Sequence, residues 1–353
     1  MLQQIFRVAV EECVDALVIA GDIYDRSVPS TEAVSLLDEF LTDLSEKKIP
    51  VIMISGNHDS PERVGFADKI LEKQGIYIAG AYDGSLRRVE FKDEYGKVVF
   101  VCLPFVKPAV AGGTNCAEAV RNILKEEDIA LGDNERYVLV THYFVTGESG
   151  EQPELSESET GIDVGGIDNV PADIFAGFDY VALGHLHGPQ NIGGNRMRYC
   201  GTPLKYSFSE TGHDKSVTVV SLGAKGDLLL NTLPLAPLRD MRKISGTFAQ
   251  LTDKAFYSVQ QTEDYLHVVL TDEEDVPEAM GRLRVIYPNI MKLSYDNTRT
   301  RENQTIDGAE DVQRRQPLEL FEELFALQNN QEMSETQRCF VQELIEEIWE
   351  GRI

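Results

Sequence analysis

One recurrence constrains this 353-residue chain more than any other: short apolar runs that stop abruptly in loops rich in Asp, Asn and His. Residues 16–20 (ALVIA) lead into Gly21-Asp22-Ile23-Tyr24-Asp25, and residues 50–54 (PVIMI) into Gly56-Asn57-His58-Asp59. Residues 137–140 (YVLV) lead into Thr141-His142, and 180–183 (YVAL) into Gly184-His185-Leu186-His187. A fifth run, 98–103 (VVFVCL), has the same character. Such β-branched stretches predict strands buried on both faces, which occur where helices or a second sheet cover a parallel sheet. Ligands of such sheets gather on the loops at the carboxyl ends of the strands. Four of the six histidines occupy those loops.

Helical patterns lie between the runs. Residues 31–48 place Leu36, Leu37, Phe40, Leu41 and Leu44 on one stripe, with Ser30 or Thr31 as N-cap. Pro61 opens a second helix, through Leu71. The fold class is therefore α/β, layered. Residues 217–222 and 228–233 close the first domain, and Pro234 and Pro237 mark its end. Residues 238–295 read as a small α+β unit, with a strand at 266–270 and a helix near 277–286. The domain map is 1–235, 236–301, a polar linker at 302–316, and two acidic amphipathic helices in 317–353.

Composition excludes several classes. With 42% apolar and 26% charged residues, the chain is not wholly disordered. A net charge of −26 gives no basic groove for nucleic acid, although bound metal ions supply local positive charge in an acidic protein. Five scattered cysteines with no C-x-x-C pair argue against a disulfide framework or zinc ribbon. Gln3, Gln4 and Arg7 interrupt any secretory leader, and no stretch is apolar enough to span a bilayer. The expectation is a cytoplasmic protein with no membrane association.

The loop residues are oxygen and nitrogen donors without thiolate, a mix suited to Mn, Fe or Zn rather than to purely oxygen-bound Mg or Ca. A pair of ions about 3.5–4 Å apart, bridged by one carboxylate, is the economical arrangement for phosphoryl chemistry. Asp22 is the candidate bridge; Asn57, His142 and His185 complete one ion and His187 reaches the other. His58 is the candidate proton donor to a leaving oxygen. His213 and His267 receive no role, and the acidic run 148–159 reads as a solvated loop. Arg196, Arg198 and Lys205 are either nucleic-acid contacts or a solvated basic face.

These motifs resemble the calcineurin-like metallophosphoesterase superfamily and, within it, the SbcD nuclease family. The resemblance rests on VDALVIAGDIYDRSVPS, GNHDSPERVGF, THYFVTG, GFDYVALGHLHGPQ, YCGTPLKYSFSE and the closing PLELFEELFALQNNQEMSETQ. It implies a metallophosphoesterase β-sandwich flanked by helices, with a capping domain at 236–301 that helps place DNA. Those residues carry no large charge excess (residues 234–301 have 9 basic and 10 acidic side chains), which suits phosphate contact. It implies two Mn²⁺ ions, with Mg²⁺ or another divalent metal open. It also implies ATP-dependent 3′–5′ double-strand exonuclease and single-strand or hairpin endonuclease activity in DNA repair, recombination and replication. The expected partner is an SbcC-like ATPase docked on the helices after Pro317, in a heterotetramer with two nuclease subunits. Helices 31–48 and 61–73 are the expected nuclease homodimer contacts. The rival readings are a scaffold that binds the ATPase without catalysis, and a small-molecule phosphoesterase.

One family element does not occur. The resemblance calls for a strand ending in D-x-H, whose Asp and His hold the first ion, and no D-x-H precedes Asp22. The expectation for residues 1–353 is a first ion held by Asp22 and His187 alone, with activity strongly reduced or absent. Its origin stays open between an internal methionine of a longer frame, a truncated gene and a natural one-metal protein.

Overall fold

The computed structural model describes residues 1–127, 132, 135–147, 151–157, 159, 169–298 and isolated positions between 318 and 345. The chain divides into two units, Met1–Lys243 with Glu263–His267, and Ile244–Thr262 with Val268–Ile353.

In the first unit, β1 (Leu17–Ala20), β2 (Val51–Ile54) and β3 (Ile76–Ala79) form a parallel sheet in the order β1-β2-β3. A second sheet begins with the hairpin β4 (Arg87–Asp93) and β5 (Gly96–Leu103), followed by β6 (Arg136–His142). The short strands β7 (Phe144–Thr146) and β8 (Asn169–Pro171) pair with each other. Then β9 (Tyr180–Gly184), β10 (Gln190–Ile192) and β11 (Met197–Tyr199) complete the order β10-β11-β9-β6-β5-β4. Within it β5, β6 and β9 run parallel.

The two sheets face each other across Val18, Ala20, Ile52, Ile54, Cys102 and Val140. Helices Leu2–Glu11 and Thr31–Glu46 cover the outer face of the first sheet through Ala9, Phe40 and Leu44. Helix Cys116–Glu126 covers the second through Val120 and Ile123. This is the helix-flanked β-sandwich expected. Cover on both faces explains why β2 and β6 are buried at every residue and carry no polar–apolar alternation. A hairpin of β12 (Ser216–Leu222) and β13 (Leu228–Pro234) packs on Val98, Val138 and Tyr180 through Val220 and Leu230.

Several expectations change. The helix expected from Pro61 through Leu71 is two short pieces, Pro61–Val64 and Asp68–Leu71, because Ala67 takes a left-handed φ of 62°. Leu36 leaves the buried stripe of its helix and is 53% exposed. Strand β1 is half-buried at all four residues, and β2 is its only strand partner among the described residues. An apolar run reports hydrophobicity but not whether its strand lies at an edge. The exposed-and-buried pattern of β4 (RRVEFKD) carries no continuous run, so that strand escapes the same reasoning.

A further sheet is formed by β14 (Met241–Gly246), β15 (Tyr265–Leu270) and β16 (Ile290–Tyr295); the second unit takes the latter halves of β14 and β15, all of β16 and helix Ala279–Arg284. Leu251, Val268, Leu270, Leu283, Tyr287 and Ile290 are buried in it. The linker at 302–316 lies outside the described residues, as does most of the helical region 317–353. Among the described positions there, Leu318, Phe321, Phe325, Phe340, Val341 and Ile345 are helical. No helix among the described residues is long and apolar enough to cross a membrane.

Candidate metal centre

The four polar loops meet at one rim of the sandwich because β1, β2, β6 and β9 all end there, with Ala20 level with Ile54 and His142 level with Gly184. Asp22 follows β1, Asn57 follows β2, His142 ends β6 and His185 follows β9. Donor atoms of Asp22, His142 and His185 all lie within 4.8 Å of one another. Asn57 joins them, with Oδ1 3.0 Å from His142 Nε2 and 3.2 Å from His185 Nδ1.

Close approach dictates glycine at the loop hinges. A Cβ on Gly184 would collide with the Ala20 carbonyl and stand 2.7 Å from His142 Nδ1. A Cβ on Gly56 would collide with the Asp22 carboxylate. Asp22 and His185 themselves adopt left-handed φ values of 47° and 103°. Non-glycine residues held there cost about 1–3 kcal/mol each, and such strain concentrates where a side chain must be aimed.

The protonation pattern follows from the partners. His142, almost fully buried, has Nδ1 2.7 Å from the Ala20 carbonyl, which only accepts, so Nδ1 carries the proton. Its Nε2 then faces Asp22 Oδ2 at 3.1 Å and Asn57 Oδ1 at 3.0 Å. An imidazole nitrogen, a carboxylate oxygen and an amide oxygen brought this close together are a donor set suited to a divalent cation. For Asp22, burial pushes the carboxyl pKa up, but the bond and charge of His142 and the His58 amide outweigh it and hold it below the usual range. Burial and the neighbouring imidazole of His142 push His185 down to about 3, so its ring is neutral and able to ligate. The residues present therefore fit a divalent ion.

His58 is exposed; its amide donates to Asp22 Oδ1 at 3.0 Å and its Nδ1 lies 3.2 Å from the Asp25 carbonyl. That pairing leaves Nε2 facing away from the loop. His187 is not among the residues whose donor atoms cluster with Asp22. Its Nδ1 lies 3.3 Å from Glu210 Oε1, and its ring meets Tyr206 edge-on at 5.7 Å.

Sequence reasoning missed the residues that hold these loops. Asp59, nearly buried, accepts from the amides of Ile23 (3.0 Å), Tyr24 (2.9 Å) and Gly56 (2.8 Å), tying the Asp22 loop to the Asn57 loop. Glu159 does not belong to a solvated loop: it is 4% exposed, and its carboxylate accepts from the backbone amides of His187 and Ser156. Glu210 is fully buried against Lys215 at 2.7 Å. Burial pushes its pKa up, but His187 and Lys215 more than compensate and bring it down to about 2. A buried carboxylate shows no signal in a sequence until its partner is known. Lys205 is engaged with Asp240 at 2.9 Å and Arg198 with Thr218 at 3.1 Å, whereas Arg196 is exposed.

A two-sheet sandwich that converges a carboxylate, an amide and two imidazoles on one rim defines a metal-dependent phosphoesterase, and residues 1–189 match the calcineurin-like phosphoesterase family. Residues 237–329 match the family described as the type 5 capsule protein repressor C-terminal domain. Over 290 residues the chain is 34% identical to the SbcD subunit of nuclease SbcCD from Staphylococcus epidermidis (strain ATCC 12228 / FDA PCI 1200), covering 79% of this chain and 74% of that protein. The chain belongs to the SbcD nuclease family within the calcineurin-like phosphoesterases.

Proposed function

We propose that this chain is the nuclease subunit of an SbcCD-like complex, hydrolysing DNA phosphodiesters in the cytoplasm with Mn²⁺ and an SbcC-like ATPase partner. The observation that carries the metal chemistry is the convergence of Asp22 Oδ2 and Asn57 Oδ1 on His142 Nε2. Asp22, Asn57, His142 and His185 would hold the second ion, with Asp22 shared between the two and His187 serving the first. When bound, such ions polarise a phosphoryl oxygen and lower the pKa of water. His185 enters that task already neutral, so no proton has to leave it. His58, with Nδ1 engaged by the Asp25 carbonyl, gives a proton from Nε2 to the leaving oxygen.

The division of labour follows the sequence map. Residues 1–235 are the catalytic domain, 236–301 the DNA-capping domain, 302–316 a linker and 317–353 the ATPase-binding helices. Segments 31–48 and 61–73 carry the homodimer contact, in line with exposed Leu36, Phe66 and Ile70. The complex is a heterotetramer with two nuclease subunits.

The test compares hairpin DNA with p-nitrophenyl phosphate derivatives, with Mn²⁺ and the ATPase present. Mn²⁺-dependent cutting of hairpin DNA supports the proposal. Preference for the small ester sinks the nuclease reading.

A further inference from the structure

We infer that Glu210 and Lys215 are a buried positioning pair that fixes the tautomer and the aim of His187. The purpose of the pair rests on the proposed reading of His187 as a metal ligand; its geometry does not.

His187 is held at its amide, its carbonyl and its ring. Its amide donates to Glu159, its carbonyl accepts from Lys215 Nζ at 2.8 Å, and its Nδ1 faces Glu210 Oε1 at 3.3 Å. The same Glu210 oxygen accepts from the Tyr206 amide at 3.3 Å, which sets the Tyr206 ring against the imidazole. Lys215 Nζ meets Glu210 Oε2 at 2.7 Å and Thr202 Oγ1 at 2.9 Å, so the cation is locked where it braces both Glu210 and the His187 backbone. An ionised carboxylate only accepts, so the nitrogen facing it is Nδ1–H, and Nε2 is the atom that would ligate a metal.

That is the arrangement by which a carboxylate behind a ligating imidazole fixes its tautomer and raises its basicity. Stability alone explains it poorly. Glu210 is fully buried and the Lys215 side chain is 4% exposed, and desolvating an ion pair consumes much of what its attraction returns. Geometry for His187 gives the pair a purpose that an apolar substitute would not serve.

The experiment uses the full chain with ¹⁵N-labelled histidine, metal-free, and reads the long-range ¹H–¹⁵N pattern of the His187 ring, assigned by loss in His187→Ala. The parent is expected in the Nδ1–H form. Glu210→Gln, checked for native circular dichroism, is expected to lose that preference and to weaken the Zn²⁺-induced shift of the His187 ring nitrogens roughly 10–100-fold in concentration, with the shifts of His142 and His185 unchanged. An Nε2–H or doubly protonated His187 in the parent overturns the inference without any variant, as does an unchanged tautomer in a folded Glu210→Gln protein. If the parent shows the Nδ1–H form but Zn²⁺ shifts the ring nitrogens of His142 and His185 and not those of His187, the metal-ligand reading fails while the positioning pair stands.

Discussion

Removing the Asp59 carboxylate tests whether the metal loops are held together by one side chain. Asp59→Ala strips the acceptor from the amides of Ile23, Tyr24 and Gly56, at 3.0, 2.9 and 2.8 Å. Hydrogen bonds to a charged group contribute about 1.5–3 kcal/mol each, so three of them set a ceiling of roughly 4.5–9 kcal/mol. Ile23 and Tyr24 are half-buried and their amides regain water, whereas Gly56 is buried and does not, which reduces the expectation to about 3–5 kcal/mol. Asp59→Asn is the graded control. Placing its single carbonyl where Oδ2 stands keeps the Ile23 and Gly56 bonds and sets an NH₂ against the Tyr24 amide. One lost bond of that kind costs about 1.5–3 kcal/mol. The assay is equilibrium urea unfolding of the full chain followed by circular dichroism, read as a midpoint shift at constant slope. A loss below about 1 kcal/mol for Asp59→Ala, the level of an ordinary surface substitution, refutes the tether. Equal losses for Ala and Asn refute the division of bonds between the two oxygens.

Three more outcomes are expected. Gly184→Ala drives a Cβ into the Ala20 carbonyl and displaces His142, so Mn²⁺ affinity measured by calorimetry falls at least tenfold, while Gly193→Ala, with open space around it, leaves affinity unchanged. His185 has a folded-state pKa near 3, below its unfolded value of about 6.5, so the unfolded chain binds the extra proton between those values. Metal-free stability is therefore full above about pH 6.5 and declines as pH falls toward 3; thermal melts that lack this slope, or keep it in His185→Gln, contradict the assignment. In a chain carrying the D-x-H strand, His58→Asn lowers Mn²⁺-dependent turnover by about 10²–10⁴-fold with Mn²⁺ affinity unchanged, and a matched fall in affinity would recast His58 as a structural residue.

The readable part of the protein was the part written in contiguous residues. The runs PVIMI and YVLV announce strands because burial on both faces demands apolar side chains in succession, and the parallel sandwich follows from that demand. Asp22, Asn57, His142 and His185 were legible because each directly follows or closes such a run, where strand ends place ligands. The break at Ala67 was not legible: Pro61 announces a helix, but nothing local to the pattern demands a left-handed residue six positions on.

By itself, then, the sequence determined the layered α/β class, the four converging loops and the family. Tertiary structure alone decided which strand stands at the edge, that Asp59 joins two loops 36 residues apart, and that Glu159, Glu210 and Lys215 close around His187. The physical reason is the range of the interactions. Backbone geometry and apolar succession act between neighbours and leave a pattern in the chain. The value of a buried carboxylate depends on a donor supplied by a distant segment, and that donor exists only once the sheets have packed.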